Sequence, residues 1–186
     1  MDAVSSKLTV REATRCVVTR DVLFPGLAIA AIVISADVRV PMGLPGHRGL
    51  IWLTLLVTTV LITRRRETVV VVGAASMLAT LGLHISPDAW GSGRYLAAAI
   101  LLYAVAAAPV AVRRRWVVAL AAAPIHLVAL AGALATWLSH GYLPVLASVG
   151  MAEKTLCHLL FGLLAGLLGW TVASIVNRFH WRECLS

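Results

Sequence analysis

Residues 156–176 read LCHLLFGLLAGLLGWTVASIV. The run carries no charged residue and is long enough to cross a bilayer as one helix, which takes about 20 apolar residues. At helical spacing Gly162, Ala165, Gly166, Gly169 and Ala173 share a face, because residues three and four apart are neighbours on a helix. Stepping back by fours from Gly162 reaches His158 and then Lys154. One face therefore runs from a polar head along a glycine seam. The pair Gly162 and Gly166 reads as a packing seam, where missing side chains let helix backbones approach. The polar head is the functional question, since polar side chains at the mouth of a packed bundle mark a pathway or a binding site.

Composition extends this reading to the whole chain. Of 186 residues, 60% are hydrophobic and 13% charged, against about 25% charged in soluble domains. Mean hydropathy is +0.91. The expectation is an integral membrane protein. A net charge of +8 and a pI near 10.5 would point to nucleic acid in a soluble protein. Here the arginines stand between apolar stretches, so membrane topology accounts for them and no nucleic-acid partner is expected. Cys16, Cys157 and Cys184 are scattered, with no CxxC, which argues against a redox pair or a zinc knuckle.

Six apolar stretches follow a polar arm over residues 1–21: about 22–38, 49–63, 68–84, 95–112, 116–138 and 155–176. The arm lacks the layout of a signal peptide. Pro124 falls mid-helix and predicts a kink. Twelve basic residues alternate onto one side. They are Lys7, Arg11, Arg15 and Arg20 in the arm, the triplets Arg64-Arg65-Arg66 and Arg113-Arg114-Arg115, and Arg178 with Arg182. Only Arg39, Arg48, Arg94 and Lys154 fall on the other. The positive-inside rule then puts both termini in the cytoplasm. The expected fold is an all-α, six-transmembrane-helix bundle in the cell membrane. It comprises a cytoplasmic arm (1–21), a transmembrane domain (22–178) and a cytoplasmic tail (179–186).

The expected outer loops differ in character from the arginine turns. The first, residues 39–49, has two prolines, three glycines, His47 and Arg48, a shaped loop rather than a helix. The second, 86–94, holds Asp88, Trp90 and Arg94; the third holds His140 and runs on to Lys154. Together they resemble the rim of a binding site. The helices point the same way. Gly73, Ser76, Thr80 and His84 share one face; Ala119, Ala122, His126, Ala129, Ala133 and Trp137 share another. His126 falls near mid-membrane, where it is either a hydrogen-bonded core histidine or a functional group. The candidate binding residues are His47, Arg48, Asp88, Trp90, Arg94, Trp137, His140, Lys154 and His158. The cations suit a carboxylate or phosphate and the aromatics suit a ring.

Enzymatic chemistry finds no support. Gly91-Ser92-Gly93 lacks the earlier glycine of a GxSG serine motif, and there is no HExxH or P-loop. Asp37 is the sole carboxylate in the six stretches and stands near an end, unlike the buried carboxylates of ion pumps. Imidazoles suit nickel, cobalt or zinc. No HxH or HxxxH spacing presents two of the outer histidines from one element. No metal site or cofactor is assigned.

The run His158-Leu-Leu-Phe-Gly162-Leu-Leu-Ala-Gly166-Leu-Leu-Gly169, the loop Pro45-Gly46-His47-Arg48-Gly49, the size and the six stretches together resemble the substrate-binding S component of an energy-coupling factor (ECF) transporter. The resemblance is one of pattern and covers about residues 20–180. It implies a vitamin, vitamin precursor or similar small molecule bound near the outer surface, under the first loop as a lid. It also implies two kinds of partner, a transmembrane coupling protein and cytoplasmic ATPases. Members often carry an AxxxA seam on the first helix for the coupling protein. The nearest equivalent here is Ala31-Ile-Val-Ile-Ser35, flanked by Ala28, and serine for alanine keeps that surface small. Two other readings stand beside it: a small membrane scaffold subunit with no ligand, and a nickel or cobalt permease subunit.

Overall fold

The structure, a computed structural model, describes residues 18–38, 45–85, 89–132 and 144–183, with side-chain surroundings for 18–38, 45–85, 90–132 and 150–178. These residues are helical throughout, joined by short turns, with no strand among them. We number the helices α1 (Thr19–Asp37), α2 (Gly49–Ile62), α3 (Thr68–Gly82), α4 (Ala89–Ala107), α5 (Pro109–Arg113), α6 (Trp116–Leu130) and α7 (Pro144–Glu183). The long α7 lies against α2 on one side and α6 on the other; α3 pairs with α4, and α1 packs across α2 and α3.

Proline and glycine chemistry sets the irregularities. α1 opens with a π turn, in which the Phe24 N–H reaches back to the Thr19 carbonyl. Pro25 follows, and its ring has no N–H and clashes with the carbonyl four residues back, which favours a wider turn. α4 ends at Ala107 because Ala108 precedes Pro109 and is pushed to extended backbone, φ −64°, ψ 140°. Pro109 then starts α5, where a missing N–H costs nothing. In α6 the expected kink at Pro124 takes the form of a switch to 3₁₀ geometry over His126–Leu130. α3 closes in a Schellman motif: the Ile85 N–H bonds to the Thr80 carbonyl and that of His84 to Leu81. His84 therefore holds the left-handed position, φ 54°, usually given to glycine.

Two helix starts differ from the expectation. Trp90 and Arg94 were expected in a loop but occupy the first turns of α4. The glycines at 91 and 93 weaken a helix there. Burial of Ser92 and Tyr95 against neighbouring helices offsets that weakness. Likewise residues 144–154 belong to α7 rather than to a loop. Pro144 suits a first helical position, and the Ala, Leu, Met, Glu and Lys that follow are good helix formers. Glu153 and Lys154 interrupt hydropathy but not helicity.

Two helices are long and apolar enough to cross a membrane: Thr19–Asp37 and, within α7, Gly150–Arg178. α2, α3 and α6 are apolar but shorter. The whole of α7, 40 residues, is about 60 Å long, roughly twice the thickness of a bilayer core.

The core is mainly apolar but holds several polar side chains, and the exterior is apolar too. Leu27, Ile34, Leu78, Leu120, Leu160 and Leu164 are exposed, while Thr58, Thr59, Ser76, Thr80, Ser92, His126 and His158 are buried. Most threonine hydroxyls are satisfied locally. Thr54, Thr58, Thr59, Thr63 and Thr80 each donate to the carbonyl four residues back, at 2.6–2.8 Å, so these hydroxyls are not carried bare into the apolar interior. The glycine seam of α7 is spent within the chain. A Cβ on Gly166 would lie 2.0 Å from the Ala119 carbonyl oxygen, one on Gly162 2.7 Å from that of Ala122, and one on Gly169 2.8 Å from Val57.

Candidate binding site

Several buried polar side chains collect at one end of the bundle, around two imidazoles. α6 delivers His126 at the point where it tightens to 3₁₀, and α7 delivers His158 from the head of its glycine face. The rings lie 4.9 Å apart between centroids, tilted by 35°. His126 Nδ1 is 2.8 Å from the His158 carbonyl oxygen, and His158 Nδ1 is 2.8 Å from that of Lys154. A carbonyl only accepts, so each Nδ1 carries the proton and donates it. That assigns the same tautomer to both neutral rings and leaves each Nε2 with a free lone pair.

Three glycines make room for this pair. A Cβ on Gly49 would sit 1.6 Å from His126 Nε2, and one on Gly162 2.8 Å from the His126 Cβ. Gly46, at φ +91°, lies over His158; a Cβ there would be 3.2 Å from Nδ1. The turn at 45–48 thus covers the imidazoles and is held by the Gly49 N–H donating to the Gly46 carbonyl at 2.9 Å.

Aromatic side chains continue the cluster. The Trp52 ring lies 5.7 Å from His126 and 5.6 Å from Tyr95, edge-on to the latter at 81°. Arg94 Nη2 donates to the Tyr95 hydroxyl at 3.1 Å, with the guanidinium carbon 5.1 Å from that ring's centroid. The Arg94 charge acts on both imidazoles. Trp52 Nε1, Arg94 Nε and His126 Nε2 are buried and find no hydrogen-bond partner among the described residues. Each such atom costs about 1–3 kcal/mol, and three of them, two donors and one acceptor, gather in one cluster.

Of the residues expected at the site, the structure brings His158 and Arg94 into this cluster, and Lys154 through its backbone carbonyl. His47 is half-buried in the covering turn, and Arg48 is exposed at the entrance to α2. Trp90 is directed elsewhere: its Nε1 donates to the Val128 carbonyl at 3.3 Å, and its indole fills the space beside Gly132. Asp88, Trp137 and His140 lie outside the described residues. Of the seam residues, Ala28 is buried in the core, whereas Ala31 and Ser35 are half-exposed. His126, Trp52 and Tyr95 were not among the expected binding residues. His126 was legible as a candidate from its small-residue face, but nothing in the sequence ties Trp52 or Tyr95 to it.

Among the described residues no three His, Cys, Asp or Glu side chains converge as metal ligands. Comparison with known protein families, curated proteins and solved structures gave no match for this chain.

Proposed function

We propose that the chain is the substrate-binding membrane subunit of an uptake transporter of the energy-coupling factor type. It takes a vitamin, vitamin precursor or similar small molecule at the His126–His158 end of the bundle. The observation that carries this is the gathering of unpartnered Trp52 Nε1, Arg94 Nε and His126 Nε2 beside two imidazoles, under a glycine-built turn. Such groups in one place favour a ligand carrying both an acceptor, such as a carboxylate, and a donor, with a ring for Trp52 and Tyr95. In this reading the protein is multi-pass, with the arginine turns cytoplasmic and the short helices α2, α3 and α6 crossing where the bilayer thins. The apolar exterior supports it. The chain does no chemistry itself; a coupling protein and ATPases supply the power stroke.

The α7 glycines are used inside the chain, so they give no support to a helix-binding scaffold. The test is purification of the full chain from membranes in mild detergent, followed by mass spectrometry and elemental analysis of what co-purifies. A bound organic acid, lost in both Arg94→Ala and His126→Ala, is the expected result. Retention of the same molecule by both variants, or stoichiometric nickel or cobalt, would sink the reading.

A further inference from the structure

At the opposite end of the bundle, four arginines converge on a cavity of about 330 Å³. Arg20 comes from the first turn of α1, Arg64 and Arg66 from the turn between α2 and α3, and Arg115 from the turn between α5 and α6. His158 and Asn177 mark the two ends along α7, and 19 residues of helix separate them, or about 28 Å. The cavity is therefore distinct from the histidine cluster. Its volume falls in the range of small-molecule sites, about 300–1,000 Å³.

Two of the arginines are fixed in place. Arg20 Nε donates to the carbonyl of Ile62, the last residue of α2, and its Nη2 donates to Asn177 Oδ1 at 3.0 Å. Arg66 Nη1 donates to the Ala106 carbonyl at 2.8 Å, in the last turn of α4. Helix C-termini carry partial negative charge and hold cations well. A guanidinium has five N–H donors, so these bonds leave several free to face the cavity. Arg64 and Arg115 act on Arg20 as like charges. A neighbouring carboxylate, Asp21, already accepts the Arg64 backbone N–H at 3.0 Å. Four cations around one half-open volume, two of them exposed, repel one another, and an incoming polyanionic oxygen group would relieve that repulsion. Rigid guanidinium forks match phosphate oxygens.

We propose that this cavity binds a phosphate group. Two sources share the chemistry: the headgroup of an anionic phospholipid, and a free phosphate. Val60, Val112 and Val118 form an apolar wall beside the arginines, and Val112 is exposed. That wall offers a path for an acyl chain, and basic pockets between membrane helices take anionic headgroups in this way.

The experiment uses the purified full chain in detergent, probed by native mass spectrometry with phosphatidylglycerol, phosphatidylcholine and inorganic phosphate. Phosphatidylglycerol is expected to be retained over phosphatidylcholine. The double variant Arg64→Gln/Arg115→Gln is expected to lose about 25-fold in apparent affinity, about fivefold for each arginine. Arg113→Gln/Arg114→Gln removes the same charge from the two residues just before Arg115, which do not line the cavity, and should leave retention unchanged; circular dichroism checks that both variants are folded. Displacement of the lipid by inorganic phosphate assigns the site to free phosphate, and resistance to displacement assigns it to the headgroup. Equal retention of the two lipids with no phosphate binding, or equal loss in both arginine pairs, overturns the proposal. Neither outcome depends on a ligand at the histidine end.

Discussion

The Nδ1–H of His126 donates to the backbone carbonyl of His158, 2.8 Å away, across the α6–α7 interface. The contact exists because Gly162 lets α6 come close and Gly49 leaves space for the far side of the ring. A histidine placed this way ties three helices together and keeps its remaining nitrogen at the heart of the polar cluster.

Gly49→Ala should therefore be strongly destabilising. The new Cβ would fall 1.6 Å from His126 Nε2, so either the ring or α2 must move, an overpacking cost of about 1–3 kcal/mol. Gly82→Ala, where nothing lies within 4 Å, is the matched control. It should be neutral or slightly stabilising, since alanine is the better helix former by about 1 kcal/mol. Thermal unfolding in detergent distinguishes the two. Equal melting temperatures would mean that the Gly49–His126 contact is absent.

His126→Phe and His126→Asn separate packing from ligand contact. Asparagine can still donate to the His158 carbonyl; phenylalanine fills the space but cannot. An interhelical hydrogen bond in an apolar bundle is worth about 0.6 kcal/mol, at most about 1.7. Phe should thus lower stability only modestly. Both variants lack the Nε2 acceptor and should lose the co-purifying molecule. Retention in the Phe variant would make His126 a core residue alone.

The six apolar runs were legible because hydropathy reports burial in lipid or core; α1, α2 and α3 follow them closely, as does the start of α6. The small faces were legible in part: Gly73 and Thr80 meet α4, and Ala119 and Ala122 meet the α7 glycines, whereas His84, read on the first face, is exposed. What hydropathy hid were the starts of α4 and α7, where Trp90–Arg94 and 144–154 look polar or broken by charge yet have sound helix chemistry. The site was half legible. His158, Lys154 and Arg94 stand out as polar residues beside apolar runs. Trp52 and Tyr95 do not, because an aromatic within an apolar helix reads as core until its neighbours across the helix are known.

The buried hydroxyls of α3 give a pair of opposite outcomes. Thr80 Oγ1, whose own proton goes to the Ser76 carbonyl, accepts from the Ser92 hydroxyl at 2.9 Å, whereas Ser76 Oγ has no partner among the described residues. Ser76→Ala should raise stability by about 1 kcal/mol, since an unsatisfied hydroxyl is removed. Thr80→Val should lower it by about 1 kcal/mol by stranding Ser92. Unfolding midpoints that move in the same direction would contradict this assignment.

His84→Gly should stabilise α3. An L-residue at φ 54° bears about 1–2 kcal/mol of steric cost that glycine avoids, partly offset by the entropy glycine loses on folding. The net expectation is a rise of several tenths of a kcal/mol in the unfolding free energy. His84→Val, β-branched and so poorly suited to this backbone, should fall well below wild type.

The last prediction separates the chain's own packing from an outside partner. Gly166→Ala places a Cβ 2.0 Å from the Ala119 carbonyl oxygen, so it should disrupt the isolated chain with no partner present. Ala31→Leu/Ser35→Leu acts differently. Both positions are half-exposed on α1, and Ser35 already satisfies its hydroxyl on the Ile32 carbonyl at 2.8 Å. Larger apolar side chains there can point outward with little effect on folding. If α1 docks on a coupling protein through this small-residue strip, the double variant should melt like wild type and keep its small molecule, yet fail to co-purify with a transmembrane partner and fail in uptake. A double variant that still assembles and transports would remove Ala31 and Ser35 from the docking surface and leave the buried Ala28 with a purely internal role.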